Sequence, residues 1–205
     1  MLNDSGVTTS RATKLDAIAS DSFTFNEARN AGLQVRDLQK LIDLREIERV
    51  SRGRYRRTDA PFADLSLIEI STRASLATIC LTSALARYDL IDAIPERIDI
   101  ALPRNTSHPK TTAAVHWHSF DALTFNIERR EAPIEGSSVT IGMYSPERSI
   151  IDAFRLRGYV GYEIATEALR NWLPLRGSRP AKLIEIARQI PRSEGPLRTA
   201  LEYLT

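Results

Sequence analysis

Any chemistry in this chain must come from a short set of residues. His116 and His118 flank Trp117 on a run that alternates like a strand, so both imidazoles share one face. That spacing can supply two metal ligands, but His108 is the only other histidine and no acidic cluster stands near the pair in sequence. The expectation is of surface or sheet-packing residues. Gly136-Ser137 before a strand has the form of a nucleotidyltransferase entry. That chemistry needs paired carboxylates to hold magnesium, and residues 139–143 offer none. Asp99 is likewise single: Ala101 occupies the position of a second carboxylate, and no Glu-x-Lys follows as in a nuclease. Neither phosphate-binding glycine pattern is present, and no nucleophile elbow occurs. Glu147, Arg148 and Asp152 form a charged cluster; Arg148 and Asp152 stand four apart and are expected to pair, fixing a helix N-terminus against a sheet. No catalytic, cofactor-binding or metal-ligating residue is therefore assigned, and the chain is not expected to be an enzyme.

A second constellation points to binding. Arg49, Arg52, Arg54, Arg56 and Arg57 fall within nine residues without an acid among them, in a chain whose net charge is only +2. A local basic stripe is the electrostatic footprint of a nucleic-acid contact, although a solvated charge run has the same composition. The elements upstream of it favour the first reading. Thr24-x-x-Glu27 is a capping box, with Phe23 placed to pack back onto the helix it opens. The spacing predicts a short helix over 25–31, stopped by Gly32 in the left-handed conformation. Leu33 plugs the core at the turn, and a second helix follows over 35–44. Val35, Leu38, Leu41 and Ile42 share its inner face; Arg36, Asp37, Gln39, Lys40 and Asp43 occupy the rest. Two short strands, 46–50 and 53–56, then turn about Ser51-Arg52-Gly53, with Ile47, Val50 and Tyr55 inward.

This order is that of a winged helix-turn-helix. Its second helix enters the major groove with its N-terminal residues nearest the base edges. Arg36, Gln39 and Lys40 are residue types that read guanine or adenine, and Gln34 at the helix entry can meet a phosphate or a base. The arginines of the ribbon would hold phosphates or the minor groove, which positions the domain without specifying sequence. The DNA-binding set is thus Gln34, Arg36, Gln39, Lys40, Arg49, Arg52, Arg54, Arg56 and Arg57.

Before this stretch, helical spacing runs from about Arg11 through Ala12, Leu15, Ile18 and Ala19 to residues 20–22, behind a polar lead-in at 1–10. After it, Thr58-Asp59-Ala60-Pro61 marks a boundary. Helices are predicted over 62–72 and 76–88, the latter nearly all apolar and hence central. Strands follow at 97–102, 115–120, 123–129 and 138–144, then helices at 146–156, 162–173, 180–189 and 195–204. The fold class is α+β: a winged helix-turn-helix domain at 11–58, then a larger α+β domain at 62–205 with a mostly antiparallel sheet and C-terminal helices.

The run EARNAGLQVRDLQKLIDLREIERVSRGRYRR resembles the N-terminal winged-helix domain of the AbiEi family of type IV antitoxins, with Arg49-Val50, Arg52-Gly53 and Tyr55 matching its wing pattern. CLTSALARYDLIDAIPERIDIALPR and YSPERSIIDAFRLRG resemble later segments of the same family, with Ser149 for the usual Thr, so the likeness spans about 23–204. Two positions depart from it. Arg45 stands where a glycine is common at the helix end, and Gln34 where a better N-cap is common. The resemblance implies a transcriptional regulator that binds operator DNA, usually inverted repeats, and represses its own operon. It also implies a larger domain that counteracts a nucleotidyltransferase-like toxin without a stable complex. The alternative is a metal-dependent nucleotidyltransferase or nuclease domain that the wing delivers to DNA.

At 205 residues, 42% hydrophobic and 26% charged, the chain is long enough for one or two globular domains. Its lone cysteine, Cys80, excludes an internal disulfide and is expected to be a buried small hydrophobe. No signal peptide or spanning segment is evident, so a cytoplasmic protein without cofactor or membrane partner is expected.

Overall fold

The computed structural model describes residues 14–60 and 63–204. The expected lead-in at 1–10, the start of the first helix at Arg11 and Ala12, and Pro61 and Phe62 lie outside the described residues. The protein is α+β, with an antiparallel sheet, a mixed sheet and C-terminal helices. It divides into two compact units. The first runs through Thr72 and takes in Pro133–Thr140; the second comprises Arg73–Ala132 and Ile141–Thr205.

In the first unit a helical turn at 14–16 stops earlier than its apolar spacing predicts. Strand β1 (Ser22–Thr24) follows, then α1 (Phe25–Asn30), α2 (Val35–Asp43), β2 (Ile47–Ser51) and β3 (Arg54–Arg57). β1 is a third strand that helical spacing concealed. It pairs antiparallel with β3, Phe23 opposite Tyr55, and makes the sheet order β1-β3-β2. The capping box at α1 is formed: Thr24 Oγ1 accepts from the Glu27 amide and the Glu27 carboxylate accepts from the Thr24 amide. These bonds also hold the Glu27 carboxyl below its ordinary range. Gly32, at φ 83°, closes α1 in a Schellman turn, with Leu33 N donating to Ala28 O at 2.9 Å. Leu15, Ile18, Phe23, Ala28, Leu33, Leu38, Leu41 and Ile47 form one core, with Tyr55 packed at its edge. Helix α3 (Leu65–Arg73) comes next, burying Leu67, Ile68, Glu69 and Ile70.

The second unit holds a five-stranded sheet in the order β6-β5-β4-β8-β7. Its strands are β4 (Thr78–Ile79), β5 (Ile98–Pro103), β6 (Val115–Phe120), β7 (Arg129–Pro133) and β8 (Thr140–Tyr144). The sheet is mixed, not mostly antiparallel: β4 runs antiparallel to β5 but parallel to β8, and β5 runs parallel to β6. One cause is that residues 76–88 are not a single helix. Thr78 and Ile79 form the central strand, and helix α4 (Leu81–Arg87) begins only after Cys80. A short apolar run buried on all sides has the same composition in either state. Nor is 123–129 a strand. Asp121 Oδ1 accepts from the Leu123 amide and starts a run of turns, and the strand begins at Arg129.

The C-terminal half follows its signals closely. Ser145 caps α5 (Pro146–Arg155), accepting from the Arg148 amide with proline in the first turn. Then come α6 (Arg157–Val160), α7 (Tyr162–Trp172), α8 (Pro180–Arg188) and α9 (Glu194–Leu204). Ile150, Phe154, Leu169, Trp172, Leu183 and Leu197 lie in the main core. Cys80 is fully buried beside Phe120 and Tyr144, and burial pushes its thiol well above the ordinary value.

Arg148 is the largest fully buried side chain among the described residues. Its Nε donates to Asp152 Oδ2 at 2.7 Å, its Nη1 to the carbonyls of Thr124 and Ile127, and its guanidinium lies 4.5 Å from the Tyr144 ring centroid. Asp152 also accepts from Arg155 Nε at 2.9 Å. The pair therefore fastens α5 to the 121–128 turns as well as spanning its own helix.

Candidate nucleic-acid interface

The residues singled out for DNA contact all lie in the first unit, and their surroundings separate them into two classes. On α2, Gln34, Arg36, Gln39 and Lys40 are exposed. Gln34 is the N-cap in extended conformation; its amide donates to Asp37 Oδ2 at 2.9 Å, so an acid one turn later supplies the capping bond that the Gln34 side chain does not. Gln39 Nε2 donates to Asp43 Oδ1 at 3.0 Å along the exposed face. The other end of α2 meets the Arg45 problem directly. Arg45 takes the left-handed conformation itself, at φ 57°, and the turn is a Schellman motif with Glu46 N donating to Leu41 O at 2.9 Å.

Val35 is the residue on α2 that departs from expectation. Its spacing predicts the inner face, yet it is 69% exposed. As the first residue of the helix it stands beyond the core that Leu38 and Leu41 fill, beside Arg36 and Gln39. Val35, Leu38, Gln39, Ile42, Arg49 and Tyr55 line a cavity of about 420 Å³ between α2 and the ribbon.

The ribbon arginines do not behave alike. Arg49 and Arg52 are exposed, and Arg54 is half-buried, its Nε without a hydrogen-bond partner among the described residues. Arg56, by contrast, is only 5% exposed; it stands opposite Glu48, with which it forms a 3.7 Å ion pair, and Nη1 reaches the Arg57 carbonyl. Arg57 turns back onto the first helical turn. Its Nη2 donates to the carbonyls of Leu15 (2.6 Å) and Ile18 (3.4 Å), and its Nη1 to Asp16 Oδ1 (3.3 Å). Of the arginines expected to flank the ribbon, Arg56 is thus turned inward, and Arg57 of the DNA-binding set is engaged with the first helical turn. Arg54 and Arg56 share one face of β3, where burial and the cross-strand Glu48 hold Arg56 inward, and alternation turns Arg57 to the other face, toward the carbonyls at the helix end. β2 carries a register shift between Arg49 and Ser51. This bulge leaves Val50 half-buried and puts Ser51 in the buried position expected of Val50.

In the second unit, residues that looked isolated in sequence come together. The β5–β6 register sets Asp99 beside His116 and Ala101 beside His118, all on one face. His118 Nε2 donates to Asp99 Oδ1 at 2.8 Å, so the acid judged missing near the histidines is Asp99 itself. The signal was present as two alternating runs, but only their parallel pairing joins them. His108 stacks instead on Trp117.

No family model matches the chain, and no curated protein matches it. Among solved structures, the crystal structure of the RV2827C protein from Mycobacterium tuberculosis is similar, at 16% sequence identity and a TM-score of 0.51, covering 100% of this chain and 82% of that one. At that identity the likeness is one of fold.

Proposed function

We propose that residues 23–57 act as a winged helix-turn-helix and that the protein is a sequence-specific DNA-binding transcriptional regulator. The observation that carries this is the surface of the first unit: Gln34, Arg36, Gln39 and Lys40 exposed on α2, next to a ribbon that exposes Arg49 and Arg52. α2 is the reading helix. Arg36, Gln39 and Lys40 provide donors for base edges, and the exposed Val35 adds an apolar group of the kind that meets a thymine methyl. Arg49, Arg52 and Arg54 hold phosphates and fix the register of α2 in the groove. Arg56 and Arg57 support the ribbon from within and are left out of the contact set.

The resemblance to AbiEi-type antitoxins supports the wider role. The operator is double-stranded DNA with inverted repeats, bound by two copies. The regulator represses its own operon, and the second unit counteracts a nucleotidyltransferase-like toxin without a stable complex. Selection from a random duplex library, followed by anisotropy titration, tests the DNA-binding core. An enriched motif is expected, with Arg36→Ala or Gln39→Ala changing which sequence is preferred and Arg52→Ala weakening all DNA alike. Equal affinity of the intact protein for every duplex would sink the proposal.

A further inference from the structure

A second group of side chains stands apart from the DNA-binding proposal and does not depend on it. Asp99 is 3% exposed at the floor of the β5–β6 face. Its Oδ1 accepts from His118 Nε2 (2.8 Å) and from the Tyr159 hydroxyl (3.2 Å), its Oδ2 from Thr82 Oγ1, and its amide donates to the buried Ser83 Oγ (2.8 Å). Burial alone would raise the Asp99 pKa, but the bonds from His118, Thr82 and Tyr159 outweigh it and hold the carboxyl below its ordinary range. An ionised carboxylate only accepts, so His118 carries a proton on Nε2, and Nδ1 is the nitrogen not engaged by Asp99. The Tyr159 proton goes to Asp99, so the phenol oxygen accepts from His116 Nδ1 at 2.8 Å, and His116 Nε2 is left as a lone pair. One buried carboxylate thereby sets which nitrogen of each ring faces inward, and the ring centroids lie 5.0 Å apart. Leu81, fully buried at φ 45°, holds a backbone conformation unfavourable for leucine just before Thr82, so strain is kept at the foot of the cluster.

The chemistry of this set is narrow. Burial and the Asp99 charge push the Tyr159 phenol up to about 12, so it is no nucleophile at neutral pH, and Cys80 is buried. Among the described residues no group of three potential ligands gathers to hold a metal ion. What remains is proton transfer between two groups of a substrate that brings its own nucleophile and its own leaving group. β6 is the outer strand of the sheet, His116 is exposed on it, and the exposed Arg97 sends its positive field onto Tyr159. An open strand edge with an exposed arginine beside the two imidazoles suits the phosphate of an extended anionic polymer.

We infer that His116 and His118 form a general base and general acid for cleavage of single-stranded RNA. His116 Nε2 takes the proton of a ribose 2′-hydroxyl as that oxygen bonds to the adjacent phosphorus. The bond from phosphorus to the 5′-oxygen breaks, and that oxygen receives the Nδ1 proton of His118, which acts as the imidazolium with its Nε2–H bonded to Asp99. The products are a 2′,3′-cyclic phosphate and a 5′-hydroxyl. Asp99 and Tyr159 are positioning residues.

The test is a labelled single-stranded RNA of mixed sequence incubated with the full chain in EDTA. Fragments ending in cyclic phosphate are expected. DNA and 2′-O-methyl RNA of the same sequence remain intact, and His116→Ala slows cleavage roughly 100-fold or more. Because His116 is exposed, this variant keeps its fold, which its melting curve verifies. Tyr159→Phe lowers kcat roughly tenfold with KM unchanged. Cleavage no faster than that of the His116→Ala/His118→Ala double variant would overturn the inference. So would cleavage of the 2′-O-methyl strand, or wild-type rates in His116→Ala.

Discussion

The division of the ribbon arginines makes the DNA-binding proposal quantitative. Each phosphate neutralised by a cation releases counterions, and the slope of log affinity against log salt is about −0.9 per contact. Five ribbon arginines would contribute a slope near −4.5 per protomer if all touched phosphates. The structure leaves three for that role, Arg49, Arg52 and Arg54, because Arg56 pairs with Glu48 and Arg57 is bonded to Leu15, Ile18 and Asp16. The ribbon contribution should therefore be near −2.7 per protomer. Arg52→Ala should flatten the measured slope by about 0.9; from about 50 to about 200 mM salt that means a loss of affinity smaller by roughly 3.5-fold. Arg57→Ala should leave the slope alone. Its cost falls on folding instead: losing charge-assisted bonds to the helix end removes about 1–3 kcal/mol, or a melting temperature lower by several degrees. Fluorescence anisotropy at four salt concentrations on one duplex, alongside thermal melts, separates the two classes. If Arg57→Ala flattened the slope as much as Arg52→Ala with no change in melting temperature, the assignment of Arg57 to internal bonding would be wrong.

Three further outcomes depend on the fold alone. Arg45→Gly should not destabilise the protein: relief of the left-handed strain at φ 57° is worth about 1–2 kcal/mol, offset by about 0.4–1 kcal/mol of added unfolded-chain entropy, and a lowered melting temperature would refute the Schellman assignment. Arg148→Ala should cost about 3–5 kcal/mol, since it strips the buried Asp152 of one partner and takes the Arg148 donor from the Thr124 and Ile127 carbonyls; a denaturant midpoint close to wild type would contradict that. For Asp99, the folded pKa lies below its ordinary 3.8, so the unfolded chain binds the proton more readily. The stability this gives is fully present above the unfolded pKa and is lost as pH falls through the folded one. Melting temperature should drop below about pH 4, less steeply in Asp99→Asn, and identical acid limbs for the two proteins would rule out the linkage.

What was legible in the sequence divides by the distance over which its physics acts. The Thr24 box, the Gly32 stop and the Ser145-Pro146 start are decided within one turn of chain, and each is formed. Thr78-Ile79 is decided elsewhere. Nothing within the apolar run says that β5 and β8 flank it on either side, and only that pairing makes it a strand. Leu123, Phe125 and Ile127 imitate strand alternation, but Leu123 is exposed, Phe125 is buried, and the Ile127 carbonyl is held by Arg148 from α5. The candidate sites divide the same way. The exposure of Arg36, Gln39 and Lys40 follows from helix periodicity, whereas the withdrawal of Arg57 requires a helix end 42 residues earlier in the chain. The Asp99 cluster lies further still from local reading, with His118 19 residues away and Tyr159 60. A carboxylate that looked single was single only along the chain. Parallel pairing of β5 with the edge strand β6, followed by the short helix that carries Tyr159, gathers it with two imidazoles and a phenol, and no one-dimensional spacing rule connects those four positions.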